Sequence, residues 1–248
     1  MKKGIMIVGF VVSIILIVLG IFGFSVQYLD EDKQEIPQNE NVEEKIRNEI
    51  QNLKQAKNLT WQMNVVTEND DENASTLVKL NLGTKESEMV MNMAGQEVIH
   101  SYTVLEDGNL TSYTRMALMG EKWIKLVDEE SNITYDSSYL DIILKQFGTL
   151  EKKADTLYQI TIPKEEAQKM WATMTSDSEE NTDEIITDVF ALIVFSGKTV
   201  DSIQVDFSNA VQTTDGMLTK YVVNNFYSNV GSTIITVPEQ VKNNAVIF

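Results

Sequence analysis

The chain has no cysteine, one histidine and three prolines among 248 residues. Without cysteine there is no disulfide framework, no thiol nucleophile and no thiolate zinc site. His100 alone cannot supply a multi-histidine metal cluster or an H-E-x-x-H site. No G-x-S-x-G, S-x-x-K, phosphate-binding loop or G-x-G-x-x-G occurs either. Basic residues are scarce: 20 Lys and Arg face 37 Asp and Glu, a net charge of −17. That balance repels nucleic acid and anionic headgroups and favours solubility. Catalysis through His100 would need a serine and a carboxylate brought together by folding alone, so it reads as a half-buried packing or hydrogen-bonding residue on a strand. Paired-carboxylate chemistry stays open in so acidic a chain, but most Asp and Glu fall in turns. The expectation is a protein that is not an enzyme and uses no cofactor and no metal.

What is present begins with an uncharged apolar run at residues 4–24, whose only hydroxyl is Ser13. At a helical rise of about 1.5 Å, its length approaches the roughly 30 Å of a bilayer core. Lys2 and Lys3 precede the run and Asp30, Glu31 and Asp32 follow it. This asymmetry keeps the start in the cytoplasm and everything from Ser25 onward outside. The rival is a cleaved signal peptide, whose core runs about 7–15 residues and ends in a small-x-small site. Gly23-Phe24-Ser25 matches that site poorly, so a single-pass anchor is the first reading and secretion after cleavage the second. The chain then divides into an anchor or signal peptide (1–28), an acidic linker containing Pro37 (29–40) and an extracytoplasmic domain (41–248).

Asn41 and Glu44 have capping-box spacing, and Val42, Ile46, Ile50, Leu53 and Ala56 form one apolar stripe, so a helix is predicted to about residue 57. Periodicity then changes to two. Leu59, Trp61, Met63 and Val65 alternate with polar residues, as do Val78, Leu80 and Leu82, and then Met89, Met91 and Met93. Further strands at 98–105, 110–116 and 122–127 are joined by Asp107-Gly108 and by a turn at 119–122. This predicts a six-strand antiparallel meander. A short helix follows Ser137-Ser138, then a strand at 157–162, a helix starting at Pro163, and a polar loop at 176–184. Residues 185–195 carry both patterns and are read as helix. Strands at 200–207, 217–227 and 233–237 close the chain, with a turn at Asp215-Gly216.

The segment Tyr113-Thr114-Arg115-Met116-Ala117-Leu118-Met119-Gly120-Glu121-Lys122-Trp123-Ile124-Lys125 resembles the central hairpin of LolA-like and LppX-like half-barrel proteins. The ending is similar too: a hairpin turning at Asp215-Gly216, then Ile234-Ile235-Thr236-Val237-Pro238-Glu239-Gln240-Val241. The resemblance covers about residues 41–245 and points to the poorly characterised Gram-positive surface protein and lipoprotein branch. It implies an α+β fold in which a strongly curved antiparallel sheet, a half-barrel, carries helices on its concave face. It further implies a non-catalytic extracytoplasmic protein whose hollow accepts acyl chains or a lipidated partner. The chain departs from the family in lacking a lipobox cysteine, which leaves local capture, handover or sensing rather than shuttling. No family motif is specific enough to transfer residue by residue.

Acidic alternation at Asp177, Glu179, Asn181 and Asp183, with Asp188 in twelfth place, evokes a calcium loop. Thr182 stands where such a loop needs glycine, so a solvated loop is the better reading. The methionines are more suggestive: Met63, Met89, Met91, Met93, Met116, Met119, Met170 and Met174 fall on the strands and on the helix expected to face them. Thioethers suit a surface for varied apolar ligands, and equally an irregular core. Trp61, Met63, Met89, Met91, Trp123, Met170 and Trp171 are the candidates for lining or closing a hydrophobic hollow. The expected function is a membrane-anchored binding protein for a lipid or acylated molecule. The alternative is an envelope interaction or sensory module with a self-filled core and no small ligand; its protein partner is unknown.

Overall fold

The computed structural model describes residues 41–120, 122–128, 133, 137–175 and 183–247. The expected anchor and linker (1–40) and most of the acidic loop at 176–184 lie outside them. Helix α1 (Val42–Gln55) is opened by Asn41, whose side-chain oxygen accepts the Glu43 N–H at 3.4 Å. Acidic residues in its first turn and Lys54 in its last suit the helix dipole. Ile46 and Ile50 are wholly buried and Leu53 nearly so, as the apolar stripe requires.

Six strands follow as a meander: β1 (Asn58–Thr67), β2 (Ala74–Asn81), β3 (Glu86–Met93), β4 (Gln96–Glu106), β5 (Asn109–Met116) and β6 (Ile124–Asp128). Asp107 and Gly108 both take positive φ, the conformation a tight β4–β5 turn demands. Then come α2 (Ser138–Lys145), β7 (Glu151–Lys152), β8 (Leu157–Ile162), α3 (Lys164–Thr175), β9 (Glu184–Ile185), β10 (Val189–Phe195) and β11 (Val200–Asp206). The chain closes with β12 (Val211–Thr213), β13 (Gly216–Met217), β14 (Tyr221–Ser228), α4 (Glu239–Asn244) and β15 (Val246–Ile247). Twelve strands form one sheet in the order β15-β6-β5-β4-β3-β2-β1-β14-β11-β10-β8-β7, antiparallel except for the β15–β6 pair. The architecture is therefore α+β, with a small sheet β13-β12-β9 beside the large one.

One face of the large sheet, called inner here, packs on α1, α2 and α3. Its core joins Ile46 and Ile50 to Leu59 and Val65 of β1, Ile160 and Ile162 of β8, Ala191 and Ile193 of β10, and Leu140 and Ile143 of α2. The outer face has its own cover. Asn58 clasps Thr233 through both main-chain groups, donating to Thr233 O at 3.1 Å and accepting from Thr233 N at 2.6 Å. The chain then crosses as a strap, with Thr233, Ile235 and Val237 buried and Ile234 82% exposed. Val237 and Val241 pack on Tyr102, Val104 and Tyr113.

Three expectations are corrected. Residues 185–195 are not helical: Val189, Ala191, Ile193 and Phe195 are buried in strict alternation, and β10 pairs on both sides. Residues 233–237 do alternate, but through lying on a sheet face rather than by joining a ladder. The helices do not all share one face, because α4 covers the outer side of β4 and β5.

Glu106 clamps this outer cover. It accepts from Tyr113 Oη at 2.7 Å, from Lys242 Nζ at 2.9 Å and from Lys125 Nζ at 3.2 Å. Burial alone would raise its carboxyl pKa, but the hydrogen bonds from Lys242, Tyr113 and Lys125 outweigh that and hold it below the ordinary value of 4.5. A carboxylate with a lowered folded pKa stabilises the fold above its unfolded pKa and ceases to do so as pH falls through the folded one. Glu106→Gln is therefore expected to weaken the fold at pH 7 and to differ progressively less from wild type towards pH 3, as read by urea unfolding. An equal difference at both pH values would contradict the clamp.

Candidate functional site

The strand register builds two rows across the inner face. Tyr227, Trp61, Val78 and Met89 lie side by side on β14, β1, β2 and β3. Asn225, Met63, Thr76 and Met91 form the adjacent row. Trp61, Met63, Val78 and Met89 are half-buried, whereas Met91 is fully enclosed. Trp61 and Met63 touch the core shared with α1, α2 and α3, to which Met170 and Trp171 of α3 also belong. Met89 and Met91 continue the same face beyond that core. Trp123 does not join them: it lies on the outer face, edge-on to His100 at 5.3 Å and beneath the Arg115 guanidinium. There it lines a depression of about 320 Å³ with Lys122, Gln240 and Asn244.

Polar groups fix both ends of the inner face. Trp61 Nε1 donates to Asn225 Oδ1 at 3.0 Å, and Asn225 Nδ2 donates to Ile203 O at 3.4 Å, so this asparagine is buried with both ends of its amide engaged. At the far end Trp171 stacks edge-on against Phe207 and Tyr221 at 5.2 and 4.8 Å. Burial raises the Asp183 carboxyl, partly offset by a hydrogen bond to the Trp171 indole. Burial and then the Asp183 charge push the Tyr221 hydroxyl up in turn. With no exposure at Met170 and little at Trp171, this end is filled by its own side chains.

The opposite end is open. Between the C-terminal half of α1 and the ends of β11 and β14 lies a depression of about 420 Å³. Leu53, Val200 and Tyr227 give it an apolar wall; Glu49, Asn52, Thr199, Ser228 and Asn229 supply a polar rim, completed by Val230. Ligand pockets fall in the range of about 300–1,000 Å³, apolar with a few polar groups. Tyr227, which lines it, is the direct cross-strand neighbour of Trp61, so the depression borders the end of the Trp61 row. Sequence reasoning did not find this rim. Leu53 was legible as the last full turn of the helix stripe, but Thr199, Val200 and Asn229 meet it only through folding.

His100 lies between two carboxylates, with Nε2 3.3 Å from Glu88 and Nδ1 3.5 Å from Glu97, in a half-buried outer-face network with Lys79 and Arg115. Among the described residues no group of three His, Asp or Glu is placed to hold a metal ion. Asp177, Glu179 and Asn181 lie outside those residues.

No protein-family model and no curated protein matches the sequence. Among solved structures, the chain is similar to the lipoprotein LppX of Mycobacterium tuberculosis, at 11% identity and a TM-score of 0.41, covering 79% of this chain and 98% of that one. It is also similar to LprF from Mycobacterium bovis, at 13% identity and a TM-score of 0.40, covering 79% and 95%.

Asn225 ties Trp61 to the β11 backbone, so Asn225→Ala is expected to cost about 1–3 kcal/mol in urea unfolding. It should also shift the indole emission. A change under about 0.3 kcal/mol would show the bond to be dispensable.

Proposed function

We propose that this protein is a membrane-anchored, extracytoplasmic and non-catalytic half-barrel that binds a hydrophobic ligand, a lipid or acylated molecule, between its sheet and α1. The supporting observation is the open end of the inner face: a ligand-sized depression with an apolar wall that abuts the half-buried row Trp61, Val78 and Met89. Apolar side chains left half-covered beside a packed core are where a chain of methylenes gains about 0.8 kcal/mol per group buried. The flexible thioethers of Met63 and Met89 suit varied chains. On this reading Glu49 and Asn52 of the rim meet the ligand's polar end. The anchor at 1–28 and the linker at 29–40 keep the domain at the membrane from which such a ligand is taken.

A self-filled interaction module is the second reading. The complete burial of Met91 and Met170 and the near-complete burial of Trp171 favour it, since three of the seven candidate lining residues offer no open surface.

Uptake of a fluorescent fatty acid separates the two. Among the described residues the core lies within 46–241, so a fragment starting at Asn41 is used. Wild type is expected to bind saturably. Asn52→Trp, a substitution at an exposed helix position on the rim, should weaken binding about tenfold or more, equivalent to about 1.4 kcal/mol. No saturable uptake by wild type would leave the self-filled module as the reading.

A further inference from the structure

The β5–β6 connection begins with exposed apolar side chains, Leu118 and Met119, that the inner-face site does not use. Ala117–Met119 forms a single short turn closed by the Gly120 N–H on Ala117 O at 3.2 Å, with Gly120 at φ +87°. Leu118 is 88% exposed, more than any other large apolar side chain among the described residues, and Met119 is 57% exposed. The same corner carries β15: Val246 donates its N–H to Trp123 O at 2.9 Å, and Val246 and Ile247 are 54% and 78% exposed. Four exposed aliphatic or thioether side chains and a half-buried tryptophan thus crowd one corner of the sheet. Water solvates such a group poorly, whereas a bilayer interface accepts aliphatic tips and holds tryptophan at headgroup level.

The direction in which this corner points follows from the register. In the antiparallel meander, β1, β3 and β5 all end on the side of the Ala117–Met119 turn. Helix α1 enters β1 through residues 56 and 57 alone, so its start is directed towards that same side. Two contacts agree with this. Leu53, near the helix end, borders Ser228 and Asn229 at the opposite end of the sheet. Arg47, two turns earlier, covers the Phe147 ring at 4.6 Å, next to Thr149, which bonds Thr161 close to the turn-side end of β8. The chain leading into α1 therefore arrives at the end of the domain that bears Leu118.

We infer that the Leu118 corner docks onto a lipid surface, orienting the tethered domain with its β5–β6 turn towards the membrane. The inference rests on the anchored reading, in which residues 4–24 span the bilayer and residues 25–40 reach at most about 55 Å. That leash keeps the corner within reach of lipid. The turn between β1 and β2, with Glu68, Asp70, Asp71 and Glu72, lies at the same end but about four strand spacings, roughly 19 Å, away. So acidic a neighbour selects a surface of low negative charge, with the apolar corner inserting and the acidic turn staying in water.

The absence of cysteine makes the test direct. The full chain carrying Leu118→Cys, labelled with an environment-sensitive fluorophore, is reconstituted into phosphatidylcholine vesicles that contain a lipid-borne quencher. Thr84→Cys, in the β2–β3 turn at the opposite end, is the control. Lipid-borne quenching at position 118 is expected to exceed that at position 84 by about twofold or more, with lower access to aqueous iodide. Equal quenching at the two positions would overturn the inference. So would iodide protection at position 118 that grows with protein concentration without lipid quenching, since a second copy would then be covering the corner. Alkaline carbonate extraction reports the anchor separately: release from the vesicles refutes the tether, while quenching at position 118 still decides the docking.

Discussion

The packing of α1 on the inner face of the sheet is the constraint on which the rest of the molecule depends. With no disulfide available, burial of apolar surface is the main force that holds the twelve-stranded sheet in shape. Ile46 and Ile50 are fully withdrawn from water between β1, β11 and α2, and each such side chain contributes about 1.5–3 kcal/mol. Their placement fixes the helix layer, and α2 is tied to it by the Lys54–Asp141 pair at 2.6 Å and by Ser137 donating to Lys54 O at 3.3 Å. The gap between the end of α1 and β11–β14 is a consequence of where that layer stops.

The two faces of the sheet are closed by different means. The inner face is covered by helices whose apolar stripes meet a field of β-branched residues, a wide and dry contact. The outer face of β4–β6 is covered by a strap and a short helix, held by side-chain hydrogen bonds from Asn58 and Thr60 at one end and by the Glu106 cluster at the other. Hydrophobic burial is non-directional, whereas the strap depends on a few polar groups in set positions. The outer cover therefore loses stability as pH falls through the lowered Glu106 pKa, whereas Asp183, raised by burial at the inner end, acts in the opposite direction.

Much of this was legible in the chain. The α1 stripe, the six-strand meander, the turn at Asp107-Gly108 and the strand at 157–162 follow from period and turn chemistry alone. Trp61 and Met63 alternate within one predicted strand and Met89 and Met91 within another, and the register brings the two pairs to one face as adjacent rows. The misses have physical causes. Residues 185–195 hold a near-continuous apolar run, and short apolar runs do not declare their period. Alternation at 233–237 has the form of a strand, but one-sided burial arises on any surface and not only in a ladder. Trp123 follows a short turn just before β6, and nothing local to it says which face it takes; the partner that settles this, α4, is more than a hundred residues away in sequence. The polar rim could not be read at all, because its residues come from three separated stretches.

The claim that matters most is that the space between α1 and β11–β14 admits an apolar chain as far as Trp61. Titrating the fragment from Asn41 with a brominated fatty acid reads this directly, because bromine quenches an indole on contact. Saturable quenching in wild type that is lost in Trp61→Phe is the predicted result. Quenching that fails to saturate, or that persists unchanged without Trp61, would contradict it.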